Sequence, residues 1–126
     1  MSKAWSTLKK GHAYEGIAAQ HLIKHHYRLV EKNYRCRAGE IDLIALDERN
    51  NLVFVEVRYR ASAEFGGALA SVTATKQRRL RRAAQFYLLT HSQYRQHYCR
   101  FDVIGISHGG RAQNTPTIDW IRAAFN

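Results

Sequence analysis

Apolar and polar positions alternate most plainly in two short stretches near the middle of the chain. In Glu40–Leu46, Ile41, Leu43 and Ala45 interleave with Glu40, Asp42 and Ile44. In Leu52–Arg60, Val53, Val55, Val57 and Tyr59 interleave with Phe54, Glu56, Arg58 and Arg60. A period of two belongs to a strand. The polar segment Asp47–Asn51 between them has the length of a hairpin loop, so the two stretches are predicted to pair antiparallel. Elsewhere the period is that of a helix. Ala18, Ala19, Leu22 and Ile23 recur at three-to-four spacing and predict a helix from about Trp5 to His26. Thr73 is suited to cap a second, longer helix running to about His91, with Leu80, Ala84, Tyr87 and Leu88 on one face. Tyr27–Tyr34 and Arg100–Ile106 read as further strands. Ala61–Val72, which contains Gly66 and Gly67, reads as a mobile loop, and Ser107–Pro116, rich in Gly, Ser and Asn, as a looser stretch. Thr117–Phe125 is a short terminal element whose pattern does not choose between helix and strand.

The order helix, three strands, helix, strand predicts an α/β fold. Its sheet must be mixed, because a hairpin lies beside a strand reached through a helix. The chain has 126 residues, 45% of them apolar and 24% charged, which predicts one domain over residues 1–126 and excludes disorder, collagen and coiled coil. Folding at this size needs no disulfide or structural metal. Cys36 and Cys99 lack the spacing of a zinc site or a disulfide framework and read as thiols in a reducing compartment. Met1–Gly11 has no apolar core of a signal peptide, and no apolar run is long enough to span a bilayer, so a cytoplasmic protein off the membrane is expected. The net charge of +10 favours a polyanionic partner, nucleic acid first among them.

A hairpin centred on Arg49 places Asp42 opposite Glu56, and Glu40 opposite Arg58, all on one face of the sheet. Opposed carboxylates repel, the more so among apolar neighbours. A cation between them relieves this, and oxygen ligands suit Mg²⁺ or Mn²⁺. The plainer alternative is a partly exposed polar face neutralised by Arg58 and Arg60. Glu15 lies on the stripe of Ala18, Ala19 and Leu22, where a carboxylate must be paired or bind a metal. An internal salt bridge, or a tilt toward the helix edge, would also satisfy it. Gln77 is the polar member of the second helix's apolar face, placed where its amide could meet the site or a phosphate. That helix opens with Lys76, Gln77, Arg78, Arg79, Leu80, Arg81 and Arg82, five of the seven basic. Such a run at a helix start is either a solvated face or a phosphate-binding one. His21 and His25 have chelating spacing but no H-E-x-x-H pattern and read as surface residues. Trp5, Trp120 and the tyrosines read as core or rim, with Tyr59 the aromatic beside the acids.

With these residues in hand, the chain resembles the YraN family of predicted endonucleases. These are small relatives of the restriction-endonuclease-like, PD-(D/E)xK superfamily and of archaeal Holliday junction resolvases. The resemblance runs from Gly11 to about Ile106. It is carried by G-x-x-x-E-x-x-A at Gly11–Ala18, GEIDLIA at Gly39–Ala45, FVEVRYR at Phe54–Arg60, the Lys76–Gln77 pair and RFDV at Arg100–Val103. GEIDLIA followed by FVEV is its most specific part. The resemblance implies a three-layer α/β/α fold around a central mixed sheet, in the order α-β-β-β-α-β plus a short C-terminal element. It implies that Asp42, Glu56 and Glu15 bind Mg²⁺ or Mn²⁺, and that Gln77 matches a helix glutamine seen in several branches. Arg58 stands where the superfamily usually has its catalytic lysine. Arginine keeps the charge and can grip a phosphate through two hydrogen bonds, but it cannot act as a base.

The expected function is a metal-dependent nuclease, structure-selective or nonspecific, acting on nucleic acid with DNA favoured. Its catalytic group would be Asp42, Glu56, Arg58, Glu15 and Gln77. Its nucleic-acid contacts would be Lys76, Arg78, Arg79, Arg81, Arg82, Arg60 and Tyr59. Resolvase-like relatives act as dimers, and a homodimer is left open. The competing expectations are a nucleic-acid-binding module with the same fold and little turnover, and an adaptor whose basic face meets an acidic protein.

Overall fold

The computed structural model describes residues 3–60, 67–108 and 115–126, with the side chains of the first helix described from residue 12 onward. Helix α1 spans Lys3–Lys24. Three strands follow, β1 (Arg28–Cys36), β2 (Gly39–Leu46) and β3 (Leu52–Arg60). A single helical turn α2 (Gly67–Ala70) precedes the long helix α3 (Ala74–Thr90). Strands β4 (Cys99–Ser107) and β5 (Thr117–Phe125) complete the order. The described strands form one five-stranded sheet in the order β1-β2-β3-β4-β5. Only β3 and β4 run parallel; the other neighbours are antiparallel.

The apolar patterning dictates the layers. One face of the sheet carries Leu43, Ala45, Val53, Val55, Ile104 and Ile106, and α1 buries Ala18, Ala19 and Leu22 against it. The other face carries Ile44, Leu46, Leu52, Phe54 and Val103, and α3 buries Leu80, Ala83, Ala84 and Tyr87 there. The result is the three-layer α/β/α architecture with a mixed sheet, of the restriction-endonuclease-like class. Thr73 caps α3 as its sequence suggests, its side chain accepting from the Lys76 amide. No helix among the described residues is long and apolar enough to cross a membrane.

The structure bears differently on three local readings. The C-terminal element is a nine-residue strand. Its alternation is broken because β5 carries extra residues where Phe101↔Phe125 gives way to Val103↔Ile121. Ala123 takes a φ of 49° at that bulge. The segment 61–72 is not all loop: residues 61–66 lie outside the described residues, but Gly67–Ala70 is helical. This turn sits directly on β4, since a Cβ on Gly105 would come within 2.5 Å of the Ala68 Cβ. Glycine is required there by the close approach. For the stretch 107–116, residues 109–114 lie outside the described residues.

The hairpin turn is fixed by Asp47. Its carboxylate accepts from the amides of Arg49 and Asn51 and from the Asn51 side chain. Arg100 then ties this turn to the rest of the sheet. Its guanidinium donates to Asp47, to Asp102 and to the Tyr27 hydroxyl. Asp102 is fully buried and also accepts from Trp120 Nε1 at 2.9 Å and from the Ala123 amide at 3.0 Å. One arginine and one aspartate of the RFDV segment thus hold together the hairpin, the exit from α1, and the bulge of β5.

Removing one member of a buried pair leaves the other charge uncompensated. Arg100→Ala is expected to cost about 3–5 kcal/mol of stability, read from the urea midpoint. The exposed Arg35–Glu40 pair, at 3.6 Å, sets the contrast: Arg35→Ala is expected to cost less than about 1 kcal/mol.

Candidate functional site

The site begins where two strands part. The β2–β3 ladder runs from Leu46↔Leu52 to Leu43↔Val55, in the register that a hairpin centred on Arg49 requires. The next pair would set Asp42 against Glu56, and the ladder ends there. Asp42 instead fills the opening with its side chain, Oδ2 accepting from the Val57 amide at 2.8 Å. A carboxylate thus takes a backbone donor that the broken ladder would otherwise leave unpaired. On the other side of β2, the pairs Lys32↔Leu43 and Tyr34↔Ile41 put Asn33 opposite Asp42. Asn33 has a φ of 53°, a left-handed conformation that asparagine tolerates better than most residues. Glu40 does not face Arg58. It lies opposite Arg35 of β1 and forms an ion pair with it, because β2 stays with β1 after leaving β3.

The consequence is a crowd of carboxylates. Glu15 from α1, and Glu40 and Asp42 from β2, each place an oxygen within 4.8 Å of the others. Glu15 Oε1 is buried and has no hydrogen-bond partner among the described residues. Burial, followed by the charges of Asp42 and Glu40, pushes the Glu15 carboxyl up to about 7, against the opposing pull of Asn33 and Arg35. Glu56 stands beside this group and lines the same cavity as Asp42. Burial first, then Asp42, pushes its carboxyl up to about 9, although Arg58 and Lys76 act to lower it. The donor set is all oxygen and negatively charged, which fits a hard divalent cation such as Mg²⁺ or Mn²⁺. An orphaned, buried carboxylate oxygen at Glu15 fits it too.

Around the acids lies an open cavity of about 720 Å³, lined by Tyr14, Glu15, Arg35, Glu40, Asp42, Glu56, Arg58, Tyr59, Lys76 and Arg79, among others. Arg58 is aimed by the turn before α3. Its Nε donates to Ser71 Oγ at 2.9 Å, and Ser71 donates onward to the Ala68 carbonyl at 2.6 Å. Lys76 and Arg79 reach the cavity from the start of α3. Acids and cations lining one cavity can hold a metal and a phosphate together.

The other residues singled out by sequence fall elsewhere. Gln77 is not among the residues lining the cavity; its amide donates to the Val72 carbonyl at 3.1 Å and closes the corner between α2 and α3. Arg78 donates to Thr75 Oγ1, Arg81 donates to the Asn126 carbonyl, and Arg82 is exposed. Arg60 reaches the Gly67 carbonyl. The basic run therefore divides, with Lys76 and Arg79 turned to the cavity. Tyr59 lines the cavity and stacks on Tyr14. His21 and His25 pack edge-on against Trp120, and His25 Nδ1 is hydrogen-bonded to the His21 carbonyl. Cys36 and Cys99 are free thiols. Sequence reasoning missed Glu40 as a member of the acid cluster, and it missed Asn33, Tyr14 and Arg35. Asn33 alone left a trace, a residue disfavoured in strands inside the first strand.

The crowding has a measurable effect on stability. Folding raises the Glu56 carboxyl from 4.5 to about 9. Between those values the folded form binds a proton that the unfolded chain does not, so stability falls as pH rises through the interval. Glu56→Gln removes this penalty. In EDTA the variant is expected to melt about 4 °C or more above the wild type at pH 8, with the gap closing toward pH 5; thermal denaturation across pH measures it.

Comparison with known proteins places the chain in a family. A chain from Nitrosomonas europaea, named only as a UPF0102 protein, is 51% identical over 117 residues, covering 93% of each chain. UPF0102 proteins from Stutzerimonas stutzeri and Nitrosococcus oceani are each 47% identical, covering 91% and 92% of this chain and 92% and 90% of their own. The family described as "Uncharacterised protein family UPF0102" matches residues 14–106, a span that holds Glu15, Glu40, Asp42, Glu56, Arg58 and the Arg100–Asp102 pair. The chain belongs to this family, the YraN family that its GEIDLIA and FVEV segments resemble.

Proposed function

We propose that the protein is a metal-dependent nuclease that hydrolyses phosphodiester bonds in nucleic acid, DNA before RNA. The observation that carries this reading is the convergence of Glu15, Glu40 and Asp42 within 4.8 Å, in one cavity with Glu56 and Arg58. These carboxylates would hold Mg²⁺ or Mn²⁺, with Glu56 joining once it gives up its proton. Such an ion, when bound, neutralises phosphate charge and acidifies a water.

The chain's own residues supply the remainder. The Val57 amide orients Asp42. Ser71 fixes Arg58 through Nε, which leaves the terminal nitrogens of the guanidinium for two hydrogen bonds to a phosphate. Charge developing on that phosphate is stabilised by a donor already in place. Lys76 and Arg79 grip flanking phosphates. Such contacts hold a strand without reading its sequence, so selectivity for structure rather than sequence follows. Two free thiols suit a reducing, cytoplasmic setting.

The reading is tested on labelled single-stranded, duplex, flap and four-way-junction DNA at low salt with Mg²⁺, Mn²⁺ or EDTA. Cleavage is expected only with metal. Asp42→Asn is expected to abolish it while leaving low-salt binding in EDTA in place. Arg58→Ala is expected to slow it about 10²–10³-fold. Binding without product in any metal would overturn the proposal in favour of a binding module, whose affinity would fall steeply with salt.

A further inference from the structure

The cavity has a wall that metal and phosphate chemistry does not use. Tyr14 of α1 and Tyr59 of β3 stack with ring centroids 4.3 Å apart and planes 14° from parallel. His108, just past β4, lies 6.1 Å from the Tyr14 ring and 5.9 Å from the Tyr59 ring. Three elements of the fold thus hold one aromatic group in place. Tyr14 and Tyr59 line the same cavity as Glu15, Asp42, Glu56 and Arg58. Tyr59 is nevertheless 41% exposed, whereas the other large exposed apolar side chains among the described residues, Ile23, Phe86, Leu89 and Tyr98, lie outside that cavity.

A braced, partly exposed aromatic ring beside a phosphate-binding arginine is a surface on which a nucleobase can stack. Stacking is tolerant of sequence because every base has a π-face. Inside a continuous duplex those faces are covered by neighbouring bases, so only an unpaired base can use the ring. The brace also lowers the cost of binding, because the ring is already ordered. Resting on the nucleic-acid function proposed above, we propose that Tyr59, held by Tyr14 and His108, is a stacking platform for an unpaired nucleobase next to the phosphate gripped by Arg58. The site then takes strands with an unpaired stretch (single-stranded, flapped or branched) in preference to continuous duplex.

The test needs no turnover. Binding is measured in EDTA to a single-stranded oligonucleotide carrying 2-aminopurine and to the same sequence as a duplex. The wild type is expected to quench the 2-aminopurine in the single strand. Tyr59→Ala is expected to weaken single-strand binding about 10-fold or more and duplex binding less than about 2-fold. Tyr59→Trp should restore the single-strand affinity. Tyr59→Leu keeps an apolar side chain against Tyr14 but has no π-face, so it should behave as Tyr59→Ala even when fully folded by circular dichroism. Equal losses on both DNAs, no loss on either, or full affinity in Tyr59→Leu would overturn the platform. Absence of metal-dependent cleavage with the binding difference intact would sink only the nuclease reading. Cleavage by the wild type with no binding difference would sink only the platform.

Discussion

Repulsion among carboxylates at the point where β2 leaves β3 is the constraint on which the site depends. Antiparallel pairing would have set Asp42 directly against Glu56, and two ionised carboxylates so placed are unfavourable in a desolvated setting. The fold answers in two ways. It ends the ladder at Leu43↔Val55 and turns Asp42 onto the Val57 amide. It also keeps a proton on the group, with Glu56 raised to about 9 and Glu15 to about 7. Neither answer removes the excess of acid, and the exposed Glu40 adds to it. A structure that only needed stability would place apolar side chains at such a position. On the proposed function the acids are retained because a bound cation would repay the repulsion.

The hairpin that carries the fork is anchored at its other end. Arg100 and Asp102 lock the far end of the hairpin to β4, β5 and the exit from α1. With the turn at Asp47 fixed there, β2 and β3 can separate at their other ends without slipping in register. The short helix α2 serves the opposite wall. Gly105 lets Ala68 approach β4, and the turn so placed carries Ser71 to Arg58. Arg58 is thus braced from α2, although it shares β3 with the acid Glu56.

Much of this was written in the sequence, for identifiable reasons. Alternation in Leu52–Arg60 and the polar loop at Asp47–Asn51 sufficed for the hairpin register, because the length of the turn that Asp47 closes fixes which residues face each other. The same register brought Asp42 and Glu56 together, and the apolar stripe of α1 exposed Glu15 as an anomaly. What was not legible depended on partners distant in the chain. Glu40 joins the cluster because β2 follows β1 and abandons β3, a choice no local pattern encodes. Gln77 looked like a site residue because it was polar on an apolar face, yet the Val72 carbonyl accounts for it. β5 hid its type because the bulge facing Asp102 disrupts its alternation.

The central proposal is that a divalent cation bound at the fork would displace a proton from these carboxylates. Calorimetric titration with Mn²⁺ at pH 7, in two buffers of different ionisation enthalpy, measures that exchange directly. The account predicts release of roughly one proton per ion bound, a release much reduced in Glu56→Gln. Binding with no proton release, or the same release in the variant, would contradict it.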